Sequence, residues 1–201
     1  DIVITLYNVS NEKIFFILLA FSLILGIGKR LFMLKKCYNY IIAAFLFLYV
    51  IFILYITLFS RLNTESAGDY SLIPFHSYYL AAHGMKEMIR ESILNILFFY
   101  PFGFLFGNLN VDKINSNFIF HRDNPERWMI IPISCALSFI IELSQYVFKL
   151  GYAEIDDVIH NTLGCAIGLF SAFCLKKRLV TNRLNKNTVG ANIVRLYFYT
   201  Y

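Results

Sequence analysis

The polar residues of this chain that could do chemistry are few, and each lies in or against a long apolar run. Ser138, Glu142 and Gln145 follow one another at steps of four and three, which on a helix is one face. Asp157, Asn161, Gly164 and Gly168 repeat the pattern at four, three and four, with Asp156 beside the first of them. A carboxylate in an apolar span is costly and usually faces a partner inside the bundle. Glu142 with Asp156 or Asp157 could act as an acid/base pair or hold a divalent cation. Arg61, at the end of another apolar run, offers a guanidinium for those acids or for a ligand's phosphate. Asn95 adds a polar group near the start of a third run.

Each residue also has a structural reading. Ser138 and Gln145 serve equally well as interhelical hydrogen-bonding groups. Glu142 could be a buried neutral acid, but an acid is a costly way to join helices, and a functional role is favoured for it. Arg61 is either an anchor that snorkels to the interface or a partner for the acids. Asp156 and Asp157 suit a helix N-terminus. Asn95 fits either reading, whereas Asn161, one turn further into the membrane than Asp157, is harder to assign to structure alone. His160 points about 100° away from that stripe and reads as a structural or interfacial histidine. Pro101, with Gly103, is expected to interrupt and kink its helix. Gly164 and Gly168 form a small-xxx-small pair, most often a packing surface.

The elements that must position these groups are membrane helices. The 201 residues are 58% hydrophobic and 15% charged, against about 45–50% and about 25% for soluble domains. Apolar runs at 14–28, 38–59, 92–108, 128–150 and 158–175 predict an all-α, polytopic membrane helical bundle of about five transmembrane helices. Basic residues follow the first run instead of preceding it, so it reads as a short span and not as a signal peptide. Residues 1–178 make one domain, and 179–201 a basic tail. With five spans, thirteen of the eighteen Lys and Arg residues fall on the side of the tail. The positive-inside rule then places the N-terminus outside and the tail in the cytoplasm. The acidic ends of the 62–91 segment and of the 151–157 loop share the outer side. The net charge of +5 therefore reads as topology and anionic-lipid contact, not nucleic-acid binding. The four cysteines lie in or beside apolar runs without a C-x-x-C pair, which reads as apolar filler. Neither H-E-x-x-H nor G-x-S-x-G occurs, and no cofactor is expected.

Ser60-Arg61, Leu72-Ile-Pro-Phe75, Asn95 with Pro101 and Gly103, Glu142-x-x-Gln145 and Asp156-Asp157-x-x-x-Asn161-x-x-Gly164 occur in an order that resembles the VanZ-like family, across residues 57–168. The resemblance implies a multi-pass protein of the bacterial cytoplasmic membrane, associated with lowered susceptibility to teicoplanin and related lipoglycopeptides. It gives Pro74 and Phe75 motif positions alongside the residues above. Family members often carry an Arg and an Asp where this chain has Gly151 and Glu154, so any charge pairing there is lost or passes to Lys149. Three functions follow as expectations. The first is a non-enzymatic protein whose outward pocket, built from Arg61, Asn95, Glu142, Gln145, Asp156, Asp157 and Asn161, binds a membrane lipid, a lipid-linked cell-wall precursor or the lipoglycopeptide itself. The alternatives are an intramembrane enzyme or a small flippase acting on lipid-linked envelope precursors.

Overall fold

The computed structural model describes residues 2–32, 37–62, 69–109 and 125–199. Lys35, Lys36, Lys113 and Arg122 of the charge count lie outside these ranges, as does most of the polar connection after Asn108. Six helices follow in order: α1 (Ile2–Phe32), α2 (Cys37–Thr57), α3 (His76–Ala82), α4 (Glu87–Asn108), α5 (Ile130–Val147) and α6 (Ile155–Tyr199). Short 3-10 turns extend α2 through Phe59–Arg61 and lead into α5 over Pro125–Met129. The molecule is an all-α membrane bundle. Four stretches are long and apolar enough to cross a bilayer: Asn39–Arg61, Glu87–Asn108, Arg127–Val147 and Ile155–Leu175. The fifth expected span lies in α1, where the apolar part, Lys13–Gly28, is shorter than the roughly 20 residues a hydrocarbon core asks for. No break separates the last span from the tail, since α6 continues unbroken to Tyr199.

The core gathers Tyr49 and Ile53 from α2, Phe99 and Phe102 from α4, Ile130 and Ile141 from α5, and Cys165 and Leu169 from α6. Helix α4 is central, touching α1, α2, α3 and above all α6. Glycine makes the last contact possible. A Cβ on Gly164 would strike the carbonyl oxygen of Ile96, one on Gly168 that of Tyr100, and one on Gly103 that of Cys165. The two backbones therefore lie directly against each other, each helix contributing glycines to the seam. Close approach of this kind gains dispersion contact where lipid offers no hydrophobic drive between helices.

The expected interruption at Pro101 does not occur: α4 is one helix from Glu87 to Asn108, with Pro101 buried inside it. The proline still removes the N–H that would bond the carbonyl of Leu97. Packing holds the helix together across that gap, with the α6 seam on one side and the Tyr49 hydroxyl bonded to the Phe98 carbonyl at 2.7 Å on another.

The 62–91 interval holds more structure than its polarity suggests. Strand β1 (Tyr70–Ser71) pairs in parallel with β2 (Ala153–Glu154), Tyr70 opposite Ala153 and Ser71 opposite Glu154. The all-α expectation omitted this pair because two-residue strands leave no periodic signal. It fastens the segment before α3 to the segment before α6. Tyr70, Leu72, Ile73, Phe75, Tyr78 and Tyr79 remain exposed around this end, as aromatic residues at a membrane–water interface do.

Candidate functional site

Polar side chains converge where α4 and α6 begin and α2 and α5 end. Asn95, half-buried on α4, donates from Nδ2 to Asp157 Oδ1 at 2.7 Å. Arg61 lies within Coulombic reach of both Asp157 and Glu142. Its guanidinium packs over Gly151, where a Cβ would stand 2.7 Å from Nη1. Lys149, the other basic residue considered for charge pairing there, is exposed and takes a left-handed backbone (φ 54) that turns the chain after α5. Glu142, buried on α5, accepts the Glu154 N–H at Oε2 (3.0 Å). Gln145 donates to the carbonyl of Thr57 at 3.1 Å, satisfying one of the groups orphaned at the end of α2.

The adjacent acids separate. Asp156 turns away from Asp157 and toward α3. Its carboxylate accepts the Phe75 N–H at Oδ1, and at Oδ2 the Ser77 N–H (2.9 Å) and the Ser77 hydroxyl (2.7 Å). Phe75 needs that support. The turn Ile73–His76, closed by a 3.3 Å hydrogen bond, has Pro74 second and Phe75 third with φ 64, the type II pattern that prefers glycine at its third position. Asp156 therefore caps a helix distant in sequence, where adjacent acids suggested capping of their own helix. Asn161 does not join the Arg61 group either. It sits deeper and donates to Ser138 Oγ at 2.8 Å, while Asn161 Oδ1 is buried without a hydrogen-bond partner among the described residues. The sequence-derived set thus divides into an end cluster of Arg61, Asn95, Glu142 and Asp157, a bond from Gln145 to α2, a bond from Asp156 to α3, and a deeper α5–α6 contact through Asn161. Pro101, Gly103, Gly164 and Gly168 lie beneath the cluster, in or beside the α4–α6 seam.

Sequence reasoning missed Ser77, Tyr78 and the site role of Glu154. Ser77, two residues after Pro74-Phe75, marks a helix start that the pattern Leu72-Ile-Pro-Phe75 already hints at. Tyr78 has no comparable signal: its hydroxyl meets Nε2 of the buried His160 at 2.8 Å, from the far side of 82 residues of chain. Glu154 carries a raised carboxyl pKa. Burial is the main cause, the Ser77 hydroxyl opposes it, and the nearby charges of Asp156 and Glu91 add to it against His76. The folded state then holds the proton more tightly than the unfolded chain. Stability should accordingly fall as pH rises from the ordinary carboxyl range through the folded value, then level off. Melting temperatures across weakly acidic pH in detergent should show a shallower slope in Glu154→Gln than in the unsubstituted chain.

Beside Glu142 lies a groove of about 290 Å³, lined by Tyr70, Leu72, Phe139, Leu143, Tyr146 and Val158, with Glu142 and Glu154 as its charged members. Among the described residues no group of three or more His, Cys, Asp or Glu side chains could hold a metal.

A 28% identical relative, Protein VanZ of Enterococcus faecium, aligns over 150 residues, covering 74% of this chain and 84% of that protein. No solved structure matches. The family model described as VanZ/LLP1 matches residues 40–176, from the start of the second helix to the end of the last apolar span. The match takes in every element that builds the polar cluster, and the chain belongs to the VanZ/LLP1 family.

Proposed function

We propose that this protein lies multi-pass in the bacterial cytoplasmic membrane with its Arg61–Glu142–Asp157 end outward. There it lowers susceptibility to teicoplanin-type lipoglycopeptides by binding a polar lipid or drug group. The observation that carries the reading is the convergence of Arg61, Asn95, Glu142 and Asp157 at one end of the bundle, beside a groove whose lining includes Glu142. The distribution of Lys and Arg supports the outward orientation. Similarity to a protein named VanZ supports the antibiotic context. For the enzyme alternative, α3 takes up the Asp156 carboxylate, which leaves Glu142 with Asp157 as its acid pair.

Expression in a susceptible Gram-positive host tests this directly. The unsubstituted chain should raise the teicoplanin inhibitory concentration several-fold, and Arg61→Gln should return it to the empty-vector value at equal membrane abundance. Gly151→Ala should also lower it, because the new methyl displaces the guanidinium without removing its charge. No change in susceptibility with the unsubstituted protein abundant in the membrane would sink the proposal.

A further inference from the structure

The groove and the cluster share Glu142 but differ in charge. Arg61 belongs to the cluster and is not among the residues that line the groove, whose only ionisable lining groups among the described residues, besides two tyrosines, are Glu142 and Glu154. The charges acting most strongly on Glu154 are further carboxylates, Asp156 and Glu91, opposed by His76. Glu142 feels Asp157 and Glu154, opposed by Arg61. The ionisable lining of the groove is thus acidic, and the bulk of its wall is hydrocarbon and aromatic.

Polarity also varies along the groove. Glu154 stands at the strand level, Tyr70 meets Tyr146 edge-on at 5.3 Å beside it, and Leu143 and Phe139 continue down the exposed face of α5. From Tyr146 to Phe139 is seven residues, about 10 Å of helix. The groove thus runs from the carboxylates of Glu142 and Glu154 to the apolar side chain of Phe139, about one helical turn beyond Glu142. Its volume of about 290 Å³ is at the lower edge of ligand sites, which span about 300–1,000 Å³. That accommodates part of one chain.

Resting on the reading that this end of the protein binds an amphiphile, we propose that the groove holds a membrane lipid whose headgroup carries a primary ammonium, with the ammonium at Glu142 and Glu154 and the chain along Leu143, Phe139 and Val158. A phosphate or carboxylate headgroup would face two acids, while a neutral one would add no counter-charge to either. An ammonium donates hydrogen bonds to both in a setting of low dielectric, where ionic hydrogen bonds are strongest.

Spin-labelled octadecylamine and spin-labelled octadecanoic acid, in phosphatidylcholine vesicles containing the full chain, give the test. The motionally restricted fraction of label reports occupancy. The amine should be restricted several-fold more than the acid. Glu154→Gln should cut that preference and the double variant with Glu142→Gln should erase it, whereas Glu87→Gln, an exposed acid at the same end, should leave it intact. Leu143→Trp, which fills the groove from a lipid-exposed position, should reduce restriction of the amine even in a folded protein. Equal restriction of both labels by the unsubstituted chain, or preference surviving in the double variant, overturns the assignment. The susceptibility assay is read separately. Drug protection without amine preference removes this inference alone, and amine preference without drug protection supports it while removing the antibiotic reading.

Discussion

Gly164→Val is expected to yield no monodisperse protein in detergent, and Gly103→Val the same. A Cβ at either position collides with a backbone carbonyl of the facing helix, that of Ile96 or of Cys165. A backbone cannot rotate aside as a side chain does, so relief requires α4 and α6 to separate. Overpacking a core typically costs about 1–3 kcal/mol, and parting a seam of this length belongs at or above the top of that range. Gly151 provides the contrast. There the obstacle is the far end of the Arg61 side chain, so Gly151→Ala should melt close to the unsubstituted protein, within the roughly ±0.5 kcal/mol usual for surface changes. Size-exclusion profiles and thermal unfolding of the three variants check both statements; a well-folded Gly164→Val would refute the seam.

Asp156→Ala should act locally and strongly. It leaves the Phe75 and Ser77 N–H groups and the Ser77 hydroxyl without their carboxylate. It also removes what holds Phe75 in a left-handed conformation that a bulky side chain disfavours by about 1–2 kcal/mol. Hydrogen bonds to a charged group contribute roughly 1.5–3 kcal/mol each, but α3 is a short helix with exposed residues and can open to water. The expected loss is therefore that of docking α3, about 2–3 kcal/mol, or ~30–150-fold in its opening equilibrium. Amide exchange at Phe75 and Ser77 should quicken by that factor while the amides of Phe99 and Leu105 stay protected. Unchanged exchange at Ser77 would show that Asp156 does not hold α3.

The apolar runs that became α2, α4, α5 and α6 were legible because a bilayer demands long uninterrupted hydrophobic segments, and few other structures do. The stripe Asp157, Asn161, Gly164, Gly168 was legible as a face, but its partner was not, since periodicity states what lies on one side of a helix and nothing about its neighbour. The interruption expected at Pro101 failed for a related reason: its chemistry breaks helices locally, whereas α4 runs on through it, packed against α2 and α6. Asp156 and Asp157 looked like one acidic unit. A helix separates successive side chains by about 100°, so one serves Asn95 and the other α3. The Ser77, Tyr78 and β1–β2 contacts join residues about 80 positions apart, across a segment whose short elements carry no period to read.

The α4–α6 seam also fixes the order of biogenesis. Helix α4 is made and inserted well before Ile155–Leu175, the last apolar span among the described residues. Until that span arrives, the face of α4 bearing Gly103 and Gly107 has no complementary surface. The Leu97 carbonyl, deprived of its donor by Pro101, and Asn95 lack their final surroundings in a solvent that satisfies no polar group. The strand pair, the Asp156 contact with α3 and the Asn95–Asp157 bond wait for the same helix. Assembly therefore completes in a single late step, and a ribosome that stalls before α6 leaves a nascent chain whose α4 and α5 lack their main partner. Such a chain is a ready substrate for the proteases that clear unassembled membrane proteins.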